Sequence, residues 1–373
     1  MKSGYPQGVD DQIGQCYTSN PSRADEGYEA LPWMGNAYDY FFRKRHRMLT
    51  RSHYLQFSFA ALVLSLLFAP RAQAQTGAAL LVKPWPDASE LFDGSGDAYF
   101  FNNGYTHKTN NEFRLDEYES TGRFRVLPGN EISPRVGYDF LMLDSHTSDS
   151  RIPRILTDES IAFGTGIFKH DNWIGAVTLG VGYAGDKAFG EGDSWYIKSD
   201  LILAKQINDN DFLAIAVDYN GNRPYYPDVP LPGFGYSHRF DPKLTVVLGA
   251  PFSSVSWKPI DRLDIEAEYD LLSDLKADIS YEFIKHWSVY TDFDYRRAAF
   301  HTQFEERDHR LLFVQRRVEA GIRFKPTENI RLGLGVGYGF WGEFRTGFDF
   351  DKSHPLAYLS DEPYLHAGLQ IRF

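Results

Sequence analysis

Tyr364-Leu365-His366-Ala367-Gly368-Leu369-Gln370-Ile371-Arg372-Phe373 closes the chain. Leu365, Ala367, Leu369, Ile371 and Phe373 occupy every second position, with Tyr364, His366, Gly368, Gln370 and Arg372 between them. A period of two sends these sets to opposite faces of an extended strand. One face is wholly apolar and finishes in an aromatic ring; the other is polar or small.

The same alternation recurs upstream. Leu332, Leu334, Val336, Tyr338 and Phe340 are interleaved with Gly333, Gly335, Gly337 and Gly339. Val318, Ala320, Ile322 and Phe324 alternate with Arg317, Glu319, Gly321 and Arg323. Ala277–Phe283, Val289–Tyr295, Leu263–Tyr269, Leu213–Tyr219, Val177–Tyr183 and Val136–Met142 repeat the pattern, and several apolar faces end in Tyr or Phe. Aromatic strand ends suit a girdle at a membrane interface. Links such as Lys169–Trp173, Ile207–Asp211, Ile284–Trp287 and Lys325–Asn329 are short. Those at Asp144–Leu156, Ala184–Asp193, Asn220–Lys243, Ala298–Arg310 and Trp341–Pro363 are longer and polar. Short turns at one end and long loops at the other mark outer-membrane barrels. Residues 113–373 therefore predict an all-β, antiparallel up-and-down transmembrane β-barrel of 12–14 strands. Residues 75–112 form an N-terminal segment, with a first strand near Tyr99–Tyr105. A soluble β-sandwich would also alternate; the terminal Phe, the aromatic strand ends and the run of hairpins favour the membrane form.

Upstream, Arg43-Lys44-Arg45-His46-Arg47 is followed by an apolar run from Phe57 to Ala69, then Pro70 and Ala72-Gln73-Ala74. Basic, apolar and small-x-small segments in this order predict a cleaved signal peptide over 48–74. The run is too short for a spanning helix, which needs about 20 apolar residues. Residues 1–47 carry no periodicity and read as a non-native or disordered extension. The single cysteine, Cys16, precedes the signal, so no disulfide or thiol chemistry is expected downstream. A net charge of −11 argues against nucleic acid as a partner. Tyr, Phe and Gly are abundant, as a β-rich chain with tight turns requires.

A last strand with an aromatic final residue and apolar residues at alternate positions before it resembles the closing strand of Gram-negative outer-membrane β-barrels. In those proteins the barrel-assembly machinery reads it. The likeness covers the last ten residues in motif and the region after the signal in architecture, and it is to barrel families with no assigned activity. It implies export to the bacterial outer membrane, and contact with membrane lipid, lipopolysaccharide and the assembly machinery. Leu365, Ala367, Leu369, Ile371 and Phe373 would carry the assembly signal.

If the apolar faces meet lipid, the intervening residues line a lumen: Asp264, Glu266, Glu268, Asp278, Glu282, Asp292, Asp294, Arg296, Arg317, Glu319 and Arg323. This mixed but mainly acidic wall reads either as a polar pathway for small solutes or as an ion-pair network filling a narrow barrel. The glycines at 333, 335, 337 and 339 make room for solute or relieve crowding in a curved sheet. The stretch Arg223–Gly233, rich in proline and aromatics, is either a constriction or a stiff outer loop. Glu305, Glu306, Asp308 and His309 form a solvated cluster or a divalent-cation bridge to lipopolysaccharide. His146-Thr147-Ser148 has the spacing of the His-x-Ser pair of lipid A deacylases, but sits in a charged loop. No nucleophile elbow, zincin run or phosphate loop is present. The expectation is a non-enzymatic channel or transporter for small solutes, with no cofactor and no bound metal. The alternatives are a structural or surface-interaction barrel with a plugged lumen and, third, a lipid-modifying hydrolase.

Overall fold

The computed structural model describes residue 80 and residues 91–107, 111–127, 133–187, 189–190, 192–271, 274–303 and 309–373. The expected extension and signal peptide, and Glu305, Glu306 and Asp308, lie outside them. Eighteen strands follow in chain order. They are β1 (Phe92–Phe101), β2 (Gly104–Tyr105), β3 (Glu112–Arg125), β4 (Arg135–Thr147), β5 (Ile155–His170) and β6 (Trp173–Gly185). Next come β7 (Trp195–Gln206), β8 (Asp211–Asn220), β9 (Leu231–Asp241), β10 (Leu244–Ala250), β11 (Phe252–Ile260) and β12 (Leu263–Asp270). The last six are β13 (Leu275–Ile284), β14 (Trp287–Phe300), β15 (Arg310–Thr327), β16 (Ile330–Gly347), β17 (Ser353–Tyr358) and β18 (Glu362–Arg372).

Consecutive strands pair antiparallel, and the first and last complete the ring: β18 pairs with β16 on one side and β1 on the other. The short β2 and β17 extend neighbouring hairpins, which leaves sixteen strands around the closed barrel. Closure removes the free edges that hydrocarbon does not tolerate. At the seam Asp93 stands opposite Arg372 and Phe101 opposite Tyr364. The amides of Leu91 and Phe92 both donate to the Phe373 carbonyl at 2.7 Å, and the Phe373 ring packs 5.1 Å from Phe92. The closing strand thus performs the joining step its alternation predicts.

Sixteen strands correct the expected 12–14. Both missing strands lie between Asn220 and Pro259. The supposed loop Asn220–Lys243 contains β9, whose alternation is carried by Phe234, Tyr236 and Phe240 against Gly233, Gly235 and Ser237 and was masked by Pro230, Pro232 and the glycines. The following stretch, read as one strand, is two, turned tightly at Ala250-Pro251. The expected loops Ala298–Arg310 and Trp341–Pro363 are shorter, because β14–β17 run on as hairpins beyond the apolar band.

Outward positions are apolar and exposed: Leu334, Val336, Leu365 and Phe234 each show more than 60% of their surface. Interior positions hold charged residues such as Arg123, Glu117, Arg317 and Asp200, all nearly fully buried. A soluble monomer rarely exposes an apolar patch beyond a few hundred Å². An apolar belt around a polar interior is the inversion a bilayer demands.

Candidate functional site: the barrel interior

Side chains on strands that are not neighbours can meet only by crossing the interior of a closed ring. Arg317 on β15 does so. Its guanidinium bonds Glu117 at 2.7 Å and Glu119 at 3.3 Å, both on β3, and also Asp294 on the adjacent β14. Arg296 reaches the same pair, contacting Glu117 at 3.4 Å and bonding Glu119. Tyr99 lies 4.0 Å from the Arg317 guanidinium. One layer nearer the short-turn end, His366 is held between Asp97 at 3.0 Å and Glu319 at 2.7 Å, and stacks on Tyr99. Tyr290 donates to Glu319 as well. Arg323 and Asp278 pair at 2.9 Å, and Arg123 is bonded to Asp93 at 3.0 Å. Each charge is buried with an opposite charge in contact, the condition under which ions survive removal from water.

Toward the long-loop end these layers give way to an apolar core. Phe101, Phe113, Leu115, Leu143, Leu156, Phe300, Phe313 and Phe344 pack there, with Ile152 from the β4–β5 loop. The glycines of β16 belong to the same packing. A Cβ at Gly335 would strike Glu319 and Tyr290, one at Gly337 the Tyr364 ring, and one at Gly339 the Phe101 ring. Their missing side chains make room for neighbouring side chains rather than for solute; only Gly333 faces nearly open space.

The opposite wall is different. No residue of β8, β9, β10, β11 or β12 is buried. Register fixes which of their residues point inward: Ala214 opposes Gly235, Ala216 opposes Gly233, Gly235 opposes Gly249, and Ser256 opposes Glu266. At mid-height this wall is small and uncharged (Ala214, Ala216, Gly235, Gly249, Ser254 and Ser256), while Asp218, Arg239 and Lys258 stand toward its ends and Glu266 and Glu268 add acidic groups on β12. A Cβ on Gly235 would meet nothing within 4 Å.

The ring is bridged between these two regions at the long-loop end. The His301 amide donates to the Ala184 carbonyl at 3.1 Å, and Gly185 forms a parallel bridge with His301. β6 and β14 stand half the ring apart, so this contact pinches the mouth into two lobes. The β8–β9 loop is tied to the pinch. Asn222 donates to the Ala299 carbonyl at 2.9 Å and to Asp158 at 3.1 Å, and accepts from Arg310 at 3.2 Å. Arg310 also donates to the Arg223 carbonyl at 3.1 Å, while Arg223 is buried against Asp218 and the Val229 carbonyl. The proline-rich stretch is therefore a strap that begins on the unburied wall and fastens to the packed one.

Of the candidate residues read from sequence, Asp278, Asp294, Arg296, Arg317, Glu319 and Arg323 come together in the buried layers. Asp264 pairs with Lys258 at 2.7 Å, Glu266 is exposed, and Glu268 and Glu282 are half-buried. Asp292 stands opposite Glu319. Sequence reasoning passed over Glu117, Glu119, Asp93 and Arg123, although Glu117, Glu119, Thr121 and Arg123 alternate with Tyr118, Ser120, Gly122 and Phe124. The polar Ser120 and Gly122 on the outward face hid that rhythm. Arg223 opens the proline-rich stretch already read from sequence, whereas Asn222, Arg310 and His301 have no sequence signal, since only the closed ring brings them together.

His146, the deacylase-type candidate, contacts Asp144 at 3.5 Å, Asp116 at 3.8 Å and Arg114 at 3.5 Å, and not Ser148. His146 lies on β4, opposite Arg114, and not in the expected loop; in the β4–β5 loop that follows, Asp149 receives both Arg151 donors, which hold its carboxyl below the usual range. Among the described residues no cluster of His, Cys, Asp and Glu has the form of a metal site.

No family model matches the chain, and no curated protein matches it. Among solved structures it is similar to a deltaS2 mutant of the TodX monoaromatic hydrocarbon channel, with 9% identity over 78% of this chain and 91% of that one, at a TM-score of 0.39. It is similar to the toluene transporter TodX of Pseudomonas putida, with 9% identity over 82% and 98% and a TM-score of 0.36. A FadL homologue of Pseudomonas aeruginosa gives 10% identity over 82% and 99% and a TM-score of 0.34. The likeness says nothing of cargo.

Proposed function

We propose that this chain is a bacterial outer-membrane channel that passes small solutes along the β8–β12 side of its lumen. One observation carries the reading: the inward faces of β8–β12 are accessible while those of the opposite wall are buried in ion pairs and apolar packing. Glu266 and Glu268 give the accessible side an acidic character, with Asp264 salted to Lys258 beside them. A lumen of that sign favours cations over anions of equal size. The buried layers of Arg317 and Arg323 support the wall rather than line the path. Export through the signal segment 48–74, assembly through Leu365–Phe373 and contact with lipopolysaccharide belong to the same proposal.

The test is conductance and solute flux of the purified barrel in planar bilayers. A Gly235→Trp variant should still fold, because a Cβ there meets nothing within 4 Å, and should lower conductance several-fold. Absence of conductance in both proteins would sink the channel and favour the second reading, a plugged structural or surface-interaction barrel. That reading draws on the charged layers and on the strap across the mouth.

A further inference from the structure

The outward face of β14–β16 carries one feature that an apolar belt does not require. Tyr295 on β14 stands directly opposite Arg316 on β15. The Arg316 guanidinium lies 5.0 Å from the Tyr295 ring and 4.0 Å from the Trp341 ring. Arg297, two residues beyond Tyr295, lies 5.0 Å from the same tyrosine and 4.9 Å from Tyr225. The result is a ladder of alternating rings and guanidinium groups, Tyr225, Arg297, Tyr295, Arg316 and Trp341. Arg316 forms no ion pair among the described residues. Asp361 accepts the Trp341 amide at 3.0 Å, and Glu343 pairs with Arg345 at 3.0 Å.

The height of the ladder can be placed. At the short-turn end of the same face Trp287 stacks on Phe324, ring centroids 4.4 Å apart. Between Trp287 and Tyr295 the outward residues are Val289, Thr291 and Phe293; on β15 they are Ile322, Ala320 and Val318. At about 3.4 Å per residue that is roughly 27 Å of strand, or about 21 Å of height at a tilt of about 40°. An apolar band is about 25 Å tall. Trp287 and Tyr295 thus bracket the band, and Arg316 and Arg297 sit at its outer rim, at headgroup depth. There an arginine is tolerated, whereas deeper in hydrocarbon it is strongly disfavoured. Rings stacked on its faces hold the planar fork with its donors pointing sideways, the arrangement that takes phosphate oxygens.

We propose that Arg316, with Arg297 beside it, binds the phosphate of an outer-leaflet glycolipid headgroup of the lipid A type. The proposal rests on the reading of this face as lipid-facing. The measurement is native mass spectrometry of the barrel released from nanodiscs loaded with phosphorylated lipid A, with dephosphorylated lipid A or with neutral lipid plus inorganic phosphate. The native chain should retain phosphorylated lipid A, at least about tenfold more than the dephosphorylated form, and R297Q/R316Q should lose that preference. R316Q alone, which alters a single outward side chain, should lose most of it. Equal retention of the two lipids, unchanged retention by both variants, or equally tight capture of inorganic phosphate would overturn the site. A chain that never inserts into the discs would overturn the lipid-facing reading itself, a failure visible before any headgroup is compared.

Discussion

Arg317 and Glu266 point into the same barrel, and only one of them is out of water. Arg317 is buried among Glu117, Glu119 and Asp294. Glu266, on the β8–β12 side, is exposed and opposes Ser256 on one neighbour and Asp278 on the other. The outer surfaces of the two halves are alike, since both must satisfy lipid. The inner surfaces differ because one half is filled by long side chains meeting across a chord of the ring and the other is lined at mid-height by Ala, Gly and Ser, with its charges left accessible. A membrane barrel draws its stability from its closed ladder, so one inner half is free to remain unfilled.

The largest expected effect sharpens that contrast. Arg317→Ala leaves Glu117, Glu119 and Asp294 buried with one of their two shared arginines, Arg296, and should destabilise the folded barrel by about 3–5 kcal/mol. Glu266→Ala should change stability by no more than about 0.5 kcal/mol. Urea titrations in micelles, read by tryptophan fluorescence, compare them directly. Similar losses at both positions would break the division into halves.

A second pair tests space rather than charge. Gly337→Ala drives a methyl group into the Tyr364 ring, itself wedged against Phe101, and should cost about 1–3 kcal/mol. Gly235→Ala adds the same methyl group where nothing lies within 4 Å. It should be neutral or stabilise by about 0.5 kcal/mol, because glycine in a strand has the larger entropy to lose.

These positions also show how far the sequence could be read. Alternation placed Leu365–Phe373 on the closing seam and put Arg317, Glu319 and Arg323 on the inward face, because the period of two is a local property of an extended chain. It missed β9, where prolines and glycines dilute the pattern, and merged β10 with β11, because a two-strand turn at Ala250-Pro251 is no longer than a bulge. Which inward charges are buried is a property of the ring and not of any strand. Glu117 and Arg317 are 200 positions apart, and nothing local distinguishes Arg317 from Glu266. The glycine stripe in β16 is visible in sequence, but whether solute or Tyr364 occupies the space depends on β18.

A third change addresses the strap where the halves meet. Asn222→Ala removes the bonds to Ala299, Asp158 and Arg310 at once. The freed β8–β9 loop should raise single-channel conductance several-fold at a stability cost of about 1–3 kcal/mol, leaving the ion-pair layers intact. A collapse of stability with no gain in conductance would make the strap part of the packing rather than a cover for the accessible half.

The smallest effect concerns the β4–β5 loop, which covers the packed half only. Ile152 from this loop is buried in the apolar core, and its amide donates to the Asp149 carbonyl at 3.2 Å. Arg151 bonds the Asp149 carboxylate at 2.9 Å, and this bonding holds the Asp149 pKa below its ordinary value. A lowered pKa means that the stabilisation is complete above the free value, about pH 4, and is lost as pH falls through the folded value. Arg151 is half exposed, so water screens the pair and the effect should not exceed about 1 kcal/mol. Hydrogen exchange, corrected for intrinsic rate, should show residues 149–152 losing protection below about pH 4 in the native chain. Asp149→Asn should show the reduced protection already at pH 7 and no further step on acidification. Conductance should not follow this transition, because the loop roofs the packed half, away from the proposed path; a conductance step at the same pH, absent in Asp149→Asn, would place the path beneath Ile152 instead.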